Sequence, residues 1–249
     1  MRLHIADGPG VMLTPPWALP AELWMSLALT LRLALVSTAL LMLMALPLGA
    51  WLASARSRLA LGIEILIAMP LVLPPTVIGF YLLVLLSPRH AFGHWWQEVF
   101  GQPLPFSFAG LVIGSCVYSL PFAVQPVVAA FRMQRPEVLQ AAYSLGMTRR
   151  QAFLHIALPL ARSGVMAGSL LAFAHTIGEF GVVLMLGGNI PGVTRVASIA
   201  LYDQAQMLNY AHAHGFALLL LAMSFLLLLC TTLAQKRQER RRLAPMTLK

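Results

Sequence analysis

Five long apolar runs, separated by polar segments, dominate the sequence. They extend over residues 23–55, 65–87, 106–131, 163–187 and 215–233. A helix needs about 20 mostly apolar residues to cross a bilayer, and each run is of about that length. The only charged residues inside them are Arg32 and Glu179. The pattern therefore predicts an all-α integral membrane protein with five transmembrane helices.

The polar segments divide the chain into three predicted parts. Residues 1–22 form a Pro-rich leader, in which we expect little regular structure. Residues 23–235 form the transmembrane domain, with a long loop at 132–162, and residues 236–249 form a basic tail.

Proline and glycine mark expected breaks and close contacts. Pro70, Pro74 and Pro75 crowd the second run and predict a helix interruption near Leu73, as ordinary bending or as the broken wall of a translocation path. Asn189-Ile-Pro-Gly192 predicts a type II turn. Gly164 and Gly168, four residues apart, predict close helix packing, more often within one chain than between copies.

Composition agrees with a membrane protein and excludes several other classes. Hydrophobic residues make up 59% and charged residues 10%, and the mean hydropathy is +0.79. Soluble domains carry roughly 25% charged residues. These values exclude a soluble enzyme, a disordered chain and a secreted disulfide scaffold.

The positions of Lys and Arg predict the orientation. Of the 17 such residues, 13 lie in the connections after runs one, three and five, and three lie on the opposite side. The positive-inside rule places the N-terminus outside and the C-terminus in the cytoplasm. The net charge of +9 is then explained by topology and by attraction to anionic lipid, and not by nucleic-acid binding.

The loop at 132–162 has the pattern of a short helix-turn-helix. Pro136 can begin a helix and Gly146 can end it, and Thr148 can cap a second helix that ends before Pro159. Apolar residues recur at helical spacing on both helices: Leu139, Ala142 and Leu145, then Phe153 and Ile156. A partner protein or the chain's own helix ends must cover these stripes.

One motif in this loop is highly specific. It consists of Gln140, Ala141, Ala142, Gly146, Ile156, Leu158 and Pro159. This motif resembles the loop shared by permease subunits of binding-protein-dependent ABC importers, which docks into a groove on the ATPase subunit. The family usually has Glu where this chain has Gln140, and Glu137, three residues earlier, can partly replace that charge.

Further segments resemble one branch of that family. They are residues 70–79, 178–181, 188–192 and 198–203. They are similar to molybdate importer permeases, and two of them are also similar to sulfate/thiosulfate permeases. The family often has Arg at the position of His175. Molybdate is the expected substrate, with sulfate, thiosulfate or tungstate as alternatives.

The resemblance also implies an assembly. Two copies of the permease form a ten-helix pore in the bacterial inner membrane, an oxyanion-binding protein on the periplasmic or extracellular side delivers the substrate, and two ATPase subunits drive alternating access. The coupling helix lies between spans three and four.

The energy source is expected on a different chain. A phosphate-binding P-loop needs Lys directly after Gly, and neither Lys236 nor Lys249 has that neighbour. We therefore expect ATP and Mg on the partner ATPase, no cofactor or metal on this chain, and no enzymatic activity of its own. The alternatives from other classes are a membrane-embedded enzyme and a scaffold.

Three ionisable residues in the apolar runs are candidates for the pathway or for an intramembrane pair: Arg32, His175 and Glu179. Charges inside a membrane are costly and need a partner, a path or water. His175 and Glu179 are four residues apart and would share a helix face. The favoured interpretation is a structural pair, Arg32–Glu179 or His175–Glu179; the alternative is that Arg32 attracts the oxyanion.

Overall fold

A computed structural model describes residues 21–243, which form eleven α-helices and no strand. The all-helical prediction is confirmed. The leader up to residue 20 and the tail from residue 244 lie outside the described residues. The helices are α1 (Ala21–Ser54), α2 (Arg58–Ala68), α3 (Pro75–Leu86), α4 (Ala91–Phe100), α5 (Phe108–Arg132), α6 (Pro136–Ser144), α7 (Arg149–Ala152), α8 (Leu158–Ile177), α9 (Gly181–Gly187), α10 (Ala197–Gln206) and α11 (Tyr210–Leu243).

Four helical segments within residues 21–243 are long and apolar enough to cross a membrane, and a bent pair adds a fifth if it counts as one span. The four are Glu22–Ser54, Phe108–Arg132, Arg149–Ile177 and Tyr210–Leu229, and the bent pair is Arg58–Leu71 with Pro75–Leu86. Both faces of these helices are apolar, because one packs inside the protein and the other meets lipid.

The first helix shows this division. Leu33, Leu41 and Leu52 are buried, whereas Leu35 and Leu43 are exposed. The buried stripe of α1 packs against α5 and α8, which also pack against each other. These three helices form the centre of the fold.

The second apolar run breaks at the predicted position. A 3₁₀ turn at Met69–Leu71 ends the first half, and α3 begins at Pro75, bent by 113° from it. Pro74 and Pro75 supply no backbone donors, and a proline forces the residue before it out of the helical region. The interruption predicted near Leu73 is confirmed.

Close approach between α5 and α8 depends on two glycines. A Cβ at Gly168 would lie 2.6 Å from the carbonyl oxygen of Ala123, and a Cβ at Gly164 would lie 2.5 Å from that of Pro126. The predicted small-residue contact is therefore confirmed as packing within one chain.

The fourth apolar run is not one helix, so the prediction of a continuous span over 163–187 is wrong. Helix α8 ends at Ile177 with Gly178 as its C-cap, and α9 begins only at Gly181. At Gly181 a Cβ would meet the ring of Pro75 at 2.9 Å. The absence of a side chain at Gly181 therefore lets the chain beyond Glu179 pack against the break in the second run.

The connection between α9 and α10 and the last helix complete the fold. Gly192 has φ +74° and Val193 donates its N–H to the Ile190 carbonyl, so the turn predicted from Asn189-Ile-Pro-Gly192 closes over residues 190–193, with Pro191 and Gly192 at its centre. Helix α11 extends without interruption from the fifth apolar run into the basic tail, as far as Leu243.

Candidate coupling loop and intramembrane polar cluster

The loop between α5 and α8 begins with the predicted helix. Pro136 occupies the first turn of α6, where its missing N–H costs nothing. Gly146 has φ +81°, its N–H donates to the Tyr143 carbonyl at 3.0 Å, and the Met147 N–H donates to the Ala142 carbonyl at 3.1 Å. This pair of hydrogen bonds is a Schellman motif, which needs a residue in the left-handed region at Gly146.

The second helix of the loop begins with a capping box. The Thr148 hydroxyl accepts from the Gln151 N–H at 3.3 Å, and the Gln151 side chain accepts from the Thr148 N–H at 2.9 Å. These contacts satisfy donors that the helix itself leaves free. The predicted cap at Thr148 is confirmed.

The predicted end of this helix before Pro159 is wrong. A π-helical turn at Phe153–Ala157 joins α7 to α8, and the helix extends over 29 residues from Arg149 to Ile177. Pro159 cannot donate a hydrogen bond and its ring crowds the preceding turn. The wider π-turn directly before it lets the helix continue past the proline. The loop is thus continuous with a transmembrane helix.

The apolar stripes of the loop are only partly covered by this chain. Leu139 and Phe153 pack against the core cluster formed by α1, α2, α5 and α8, and Ala142 is buried. By contrast, Leu145 is 84% exposed. The chain's own helix ends therefore cover part of the apolar stripes and leave Leu145 exposed.

Most of the remaining motif residues are exposed to solvent on the surface of the loop. Glu137, Gln140, Ala141 and Pro159 are exposed, whereas Ile156 and Leu158 are half-buried. Within the described side chains, Glu137 forms no ion pair, and the neutral Gln140 amide is exposed. Their polar groups are free to contact another protein.

The structure does not pair the three ionisable residues of the apolar runs, so the favoured pairing interpretation is wrong. The Arg32 guanidinium lies 4.5 Å from the centre of the Phe108 ring, a cation–π contact. Among the described side chains, no salt bridge joins Arg32 or His175 to Glu179. His175 and Glu179 do not share a helix face, because α8 ends between them at Ile177.

His175 belongs to a small polar network. Its Nδ1 lies 2.9 Å from the Ser119 hydroxyl, which lies 3.1 Å from the Thr176 hydroxyl. The imidazole stacks on Phe122, with ring centres 4.0 Å apart. Neither Ser119 nor Thr176 was predicted from the sequence. Ser119 lies in an apolar run, one helical turn after Ser115, and this pair of hydroxyl residues on one helix face indicates a polar site.

The hydrogen bonds of Glu179 are formed by its backbone and not by its side chain. It is 3% exposed, its N–H donates to the Thr176 carbonyl at 3.3 Å, and its carbonyl accepts from the Ser198 hydroxyl at 2.6 Å. Neither carboxylate oxygen has a hydrogen-bond partner within residues 21–243, and the nearby Ser115 hydroxyl has none either. An unpaired polar group at this depth costs several kcal/mol by order of magnitude. Such a cost is typical of a functional position.

The two helix breaks meet at a cavity of about 430 Å³. Its lining includes Pro75 and Thr76 from one break, Gly178 and Glu179 from the other, and His175. Arg32 is not part of the lining. The structure thus brings His175 and Glu179 together at this cavity, whereas Arg32 lies elsewhere.

A third feature, on the connection between α9 and α10, was not predicted from the sequence. Arg195 donates from Nε to the Asn189 side chain at 2.6 Å and lies 3.5 Å from the Asp203 carboxylate and 3.9 Å from that of Glu22. Arg195 therefore ties the turn at 189–192 to α10 and to the start of α1. The sequence identifies an Arg on this side but not its partners.

Comparisons with known proteins agree with this geometry. Residues 45–243 match the family described as "Binding-protein-dependent transport system inner membrane component". The molybdenum transport system permease protein ModB of Azotobacter vinelandii is 46% identical over 203 residues, which cover 82% of this chain and 90% of that protein. The sulfate transport system permease protein CysT of Escherichia coli (strain K12) is 33% identical over 179 residues, covering 72% and 64% respectively.

Solved structures share the fold. A crystal structure of a bacterial alginate ABC transporter, in complex with an alginate pentasaccharide-bound periplasmic protein, aligns with a TM-score of 0.70 at 15% identity. The alignment covers 88% of this chain and 80% of that one. With the family match, these findings show that the chain belongs to the inner-membrane components of binding-protein-dependent transport systems.

Proposed function

We propose that this chain is the permease subunit of an ATP-driven importer that moves molybdate across the inner membrane by alternating access. The observation that carries the proposal is the loop at Pro136–Pro159. It contains a helix that ends in a Schellman motif, a second helix that begins with a capping box, and motif residues that are exposed to solvent. The second helix continues directly into a membrane-spanning helix. A force applied to the loop is therefore transmitted along one helix.

The proposed topology has five spans, with the bent pair of α2 and α3 counted as one. The N-terminus is outside and the C-terminus is in the cytoplasm. The support is the distribution of Lys and Arg, which places the loop at 132–162 and the basic end of α11 on one side.

The proposed assembly contains two copies of this chain, two ATPase subunits and an external oxyanion-binding protein. ATP and Mg are bound by the ATPases, and this chain binds no cofactor. The exposed Glu137, Gln140 and Leu145 would contact the ATPase. Closure of the two ATPases around ATP would bring the loops together and open the spans outward, and hydrolysis would reset them.

The far end of the coupled helix explains how the loop can act on the path. Helix α8 ends at Ile177, and Gly178 and Glu179 then line the cavity at the two helix breaks. A tilt of the helix that starts at Arg149 would therefore move one wall of this cavity. Broken helices near the middle of the membrane are a recurrent device of transport proteins.

Molybdate is favoured over the other oxyanions because the relative named for molybdenum transport is more similar, and over more of its length, than the relative named for sulfate transport. Sulfate, thiosulfate and tungstate remain the alternatives within the class. A membrane-embedded enzyme or a scaffold is the alternative from another class, and neither accounts for the conformation of the loop.

The test is ATPase activity in reconstituted membranes that contain this chain, its ATPase and its binding protein. We expect stimulation by binding protein loaded with molybdate, and loss of stimulation in Gly146→Val. Gly62→Ala is the matched control, because a Cβ meets nothing within 4 Å at either glycine but only Gly146 has a positive φ. Stimulation by sulfate alone would overturn the substrate, and failure of any ATPase to associate would overturn the class.

A further inference from the structure

A second cavity lies at the opposite end of the bundle from the outer turn, beside the coupling loop. It has a volume of about 490 Å³ and lies between the ends of α1 and α5 and the helices of the loop. Its size is within the range that holds a small ligand or a lipid headgroup.

The lining of this cavity is strongly cationic. Three arginines belong to it, Arg56, Arg132 and Arg149, and no acidic residue does. Arg132 is neutralised by Glu64, with which it forms two hydrogen bonds. Arg56 and Arg149 form no ion pair with any described side chain. Two of the arginines that line the cavity therefore carry positive charges that no described carboxylate compensates.

The remaining lining is apolar where it approaches the membrane. Ala50 and Ala53 belong to the last turns of α1, and Phe131 to the end of α5. Both helices are among the segments long and apolar enough to cross a membrane, so we expect their ends to lie where hydrocarbon gives way to headgroups. Tyr143, which is 46% exposed, also belongs to the lining.

The geometry points to a binding site for the phosphate headgroup of an anionic phospholipid, with Arg56 and Arg149 as the ligands of the phosphate. Guanidinium groups bind phosphate through paired hydrogen bonds, and basic pockets between helices at the cytoplasmic surface hold anionic headgroups. The site goes beyond the transport function, since it requires only that this end of the bundle lies at a membrane surface.

A lipid fits this lining better than a free anion does. A soluble phosphate would use the arginines but would leave the apolar wall of Ala50, Ala53 and Phe131 against water. A phospholipid places its phosphate on the arginines and its glycerol and first methylenes on that wall.

The position of the site gives it a consequence for coupling. Arg56 follows α1, whereas Arg149 begins the helix that carries the coupling loop into the membrane. A bound headgroup would therefore link the end of α1 to the start of the coupled helix. Lipid composition would then affect how firmly the loop is held.

The experiment compares two double variants that remove the same charge. Arg56→Gln with Arg149→Gln removes both uncompensated guanidinium groups, whereas Arg58→Gln with Arg150→Gln removes exposed neighbours that do not line the cavity. Full-length permease in detergent is titrated with phosphatidylglycerol or phosphatidylcholine, and bound lipid is counted by native mass spectrometry. We expect the first variant to weaken phosphatidylglycerol binding by on the order of 30-fold, and the second to change it less than about threefold.

Three outcomes would overturn the inference: equal loss in both double variants, equal binding of phosphatidylcholine, and full displacement of the lipid by millimolar inorganic phosphate. The last would assign the site to a soluble anion. A further variant, Arg56→Lys with Arg149→Lys, guards against misfolding. It should retain most of the phosphatidylglycerol binding and should elute as wild type does on size exclusion.

Discussion

Arg132 and Glu64 form a bidentate ion pair that joins the end of α5 to α2. The guanidinium Nη1 donates to Oε1 at 3.0 Å and Nη2 to Oε2 at 2.7 Å. This parallel arrangement is the strongest form of an Arg–carboxylate contact. It ties the first half of the broken span to the central helix, close to where the coupling loop begins.

The pair should nevertheless contribute little to stability. Both side chains are more than 40% exposed, and exposed pairs are typically worth about 0.2–1 kcal/mol. We predict a coupling energy in this range from a double-mutant cycle of Glu64→Gln and Arg132→Gln, measured by thermal unfolding in detergent. A coupling well above 2 kcal/mol would mean that the pair is buried in the assembled transporter, for example by a second copy.

Replacing Gly146 should cost backbone strain without a steric clash. Its φ is +81°, and a Cβ there meets nothing within 4 Å. An L-residue in the left-handed region costs about 1–2 kcal/mol, and Asn tolerates it better than Ala or Val. We predict that stimulated ATPase activity falls in the order Gly, Asn, Ala, Val.

Gly62→Ala serves as the control for this series. It lies inside α2, where Ala is favoured over Gly by up to about 1 kcal/mol. Its activity should be unchanged and its stability equal or higher. An Asn variant at 146 that is less active than the Val variant would contradict the role of the positive φ.

Glu179→Gln should be tolerated or should stabilise the fold. The carboxylate is buried and forms no ion pair with a described side chain, and the nearby Ser115 hydroxyl does not reach hydrogen-bond geometry with it, so a neutral amide of the same size removes an unfavourable charge. We predict an unfolding temperature equal to or above that of the wild type, whereas Glu98→Gln, on an exposed side chain, should have no effect. A fall of several degrees in Glu179→Gln would show that the carboxylate has a partner in the assembled protein.

Even the conservative substitution Arg195→Lys should lower the stability of the fold. Arg195 is 17% exposed and contacts Asn189, Asp203 and Glu22, and Lys cannot reproduce the Nε bond to Asn189. Hydrogen bonds of charged groups are worth about 1.5–3 kcal/mol, so we expect Arg195→Lys to lower stability by about that amount. Arg89→Lys is the control on the other outer connection, and an equal loss there would refute the contribution of these contacts.

The sequence predicted the features that depend on local chemistry. Pro74 and Pro75 located the break of the second run because proline acts on its immediate neighbours. Pro136, Gly146 and Thr148 located the ends of the loop helices for the same reason.

The predictions from the sequence were wrong where contacts between distant segments determine the local conformation. The run at 163–187 is apolar enough for one helix, but it breaks at Gly178–Phe180 and packs at Gly181 against Pro75, a residue remote in the chain. The expected pairing of Glu179 with His175 failed with it, because the assumed shared helix face does not exist. Arg32, the other expected partner, contacts the Phe108 ring instead. Continuation of α7 through Pro159 was missed because proline usually ends a helix, and the π-turn that accommodates it has no simple sequence pattern.

The proposed transport function is tested by uptake of radiolabelled molybdate into proteoliposomes that contain this chain, its ATPase and its binding protein. With ATP inside the vesicles, facing the coupling loop, we predict accumulation above the external concentration, which unlabelled tungstate reduces and a Gly146→Val chain abolishes. Accumulation of sulfate but not of molybdate, or molybdate uptake that does not depend on ATP, would contradict ATP-driven molybdate import by this chain.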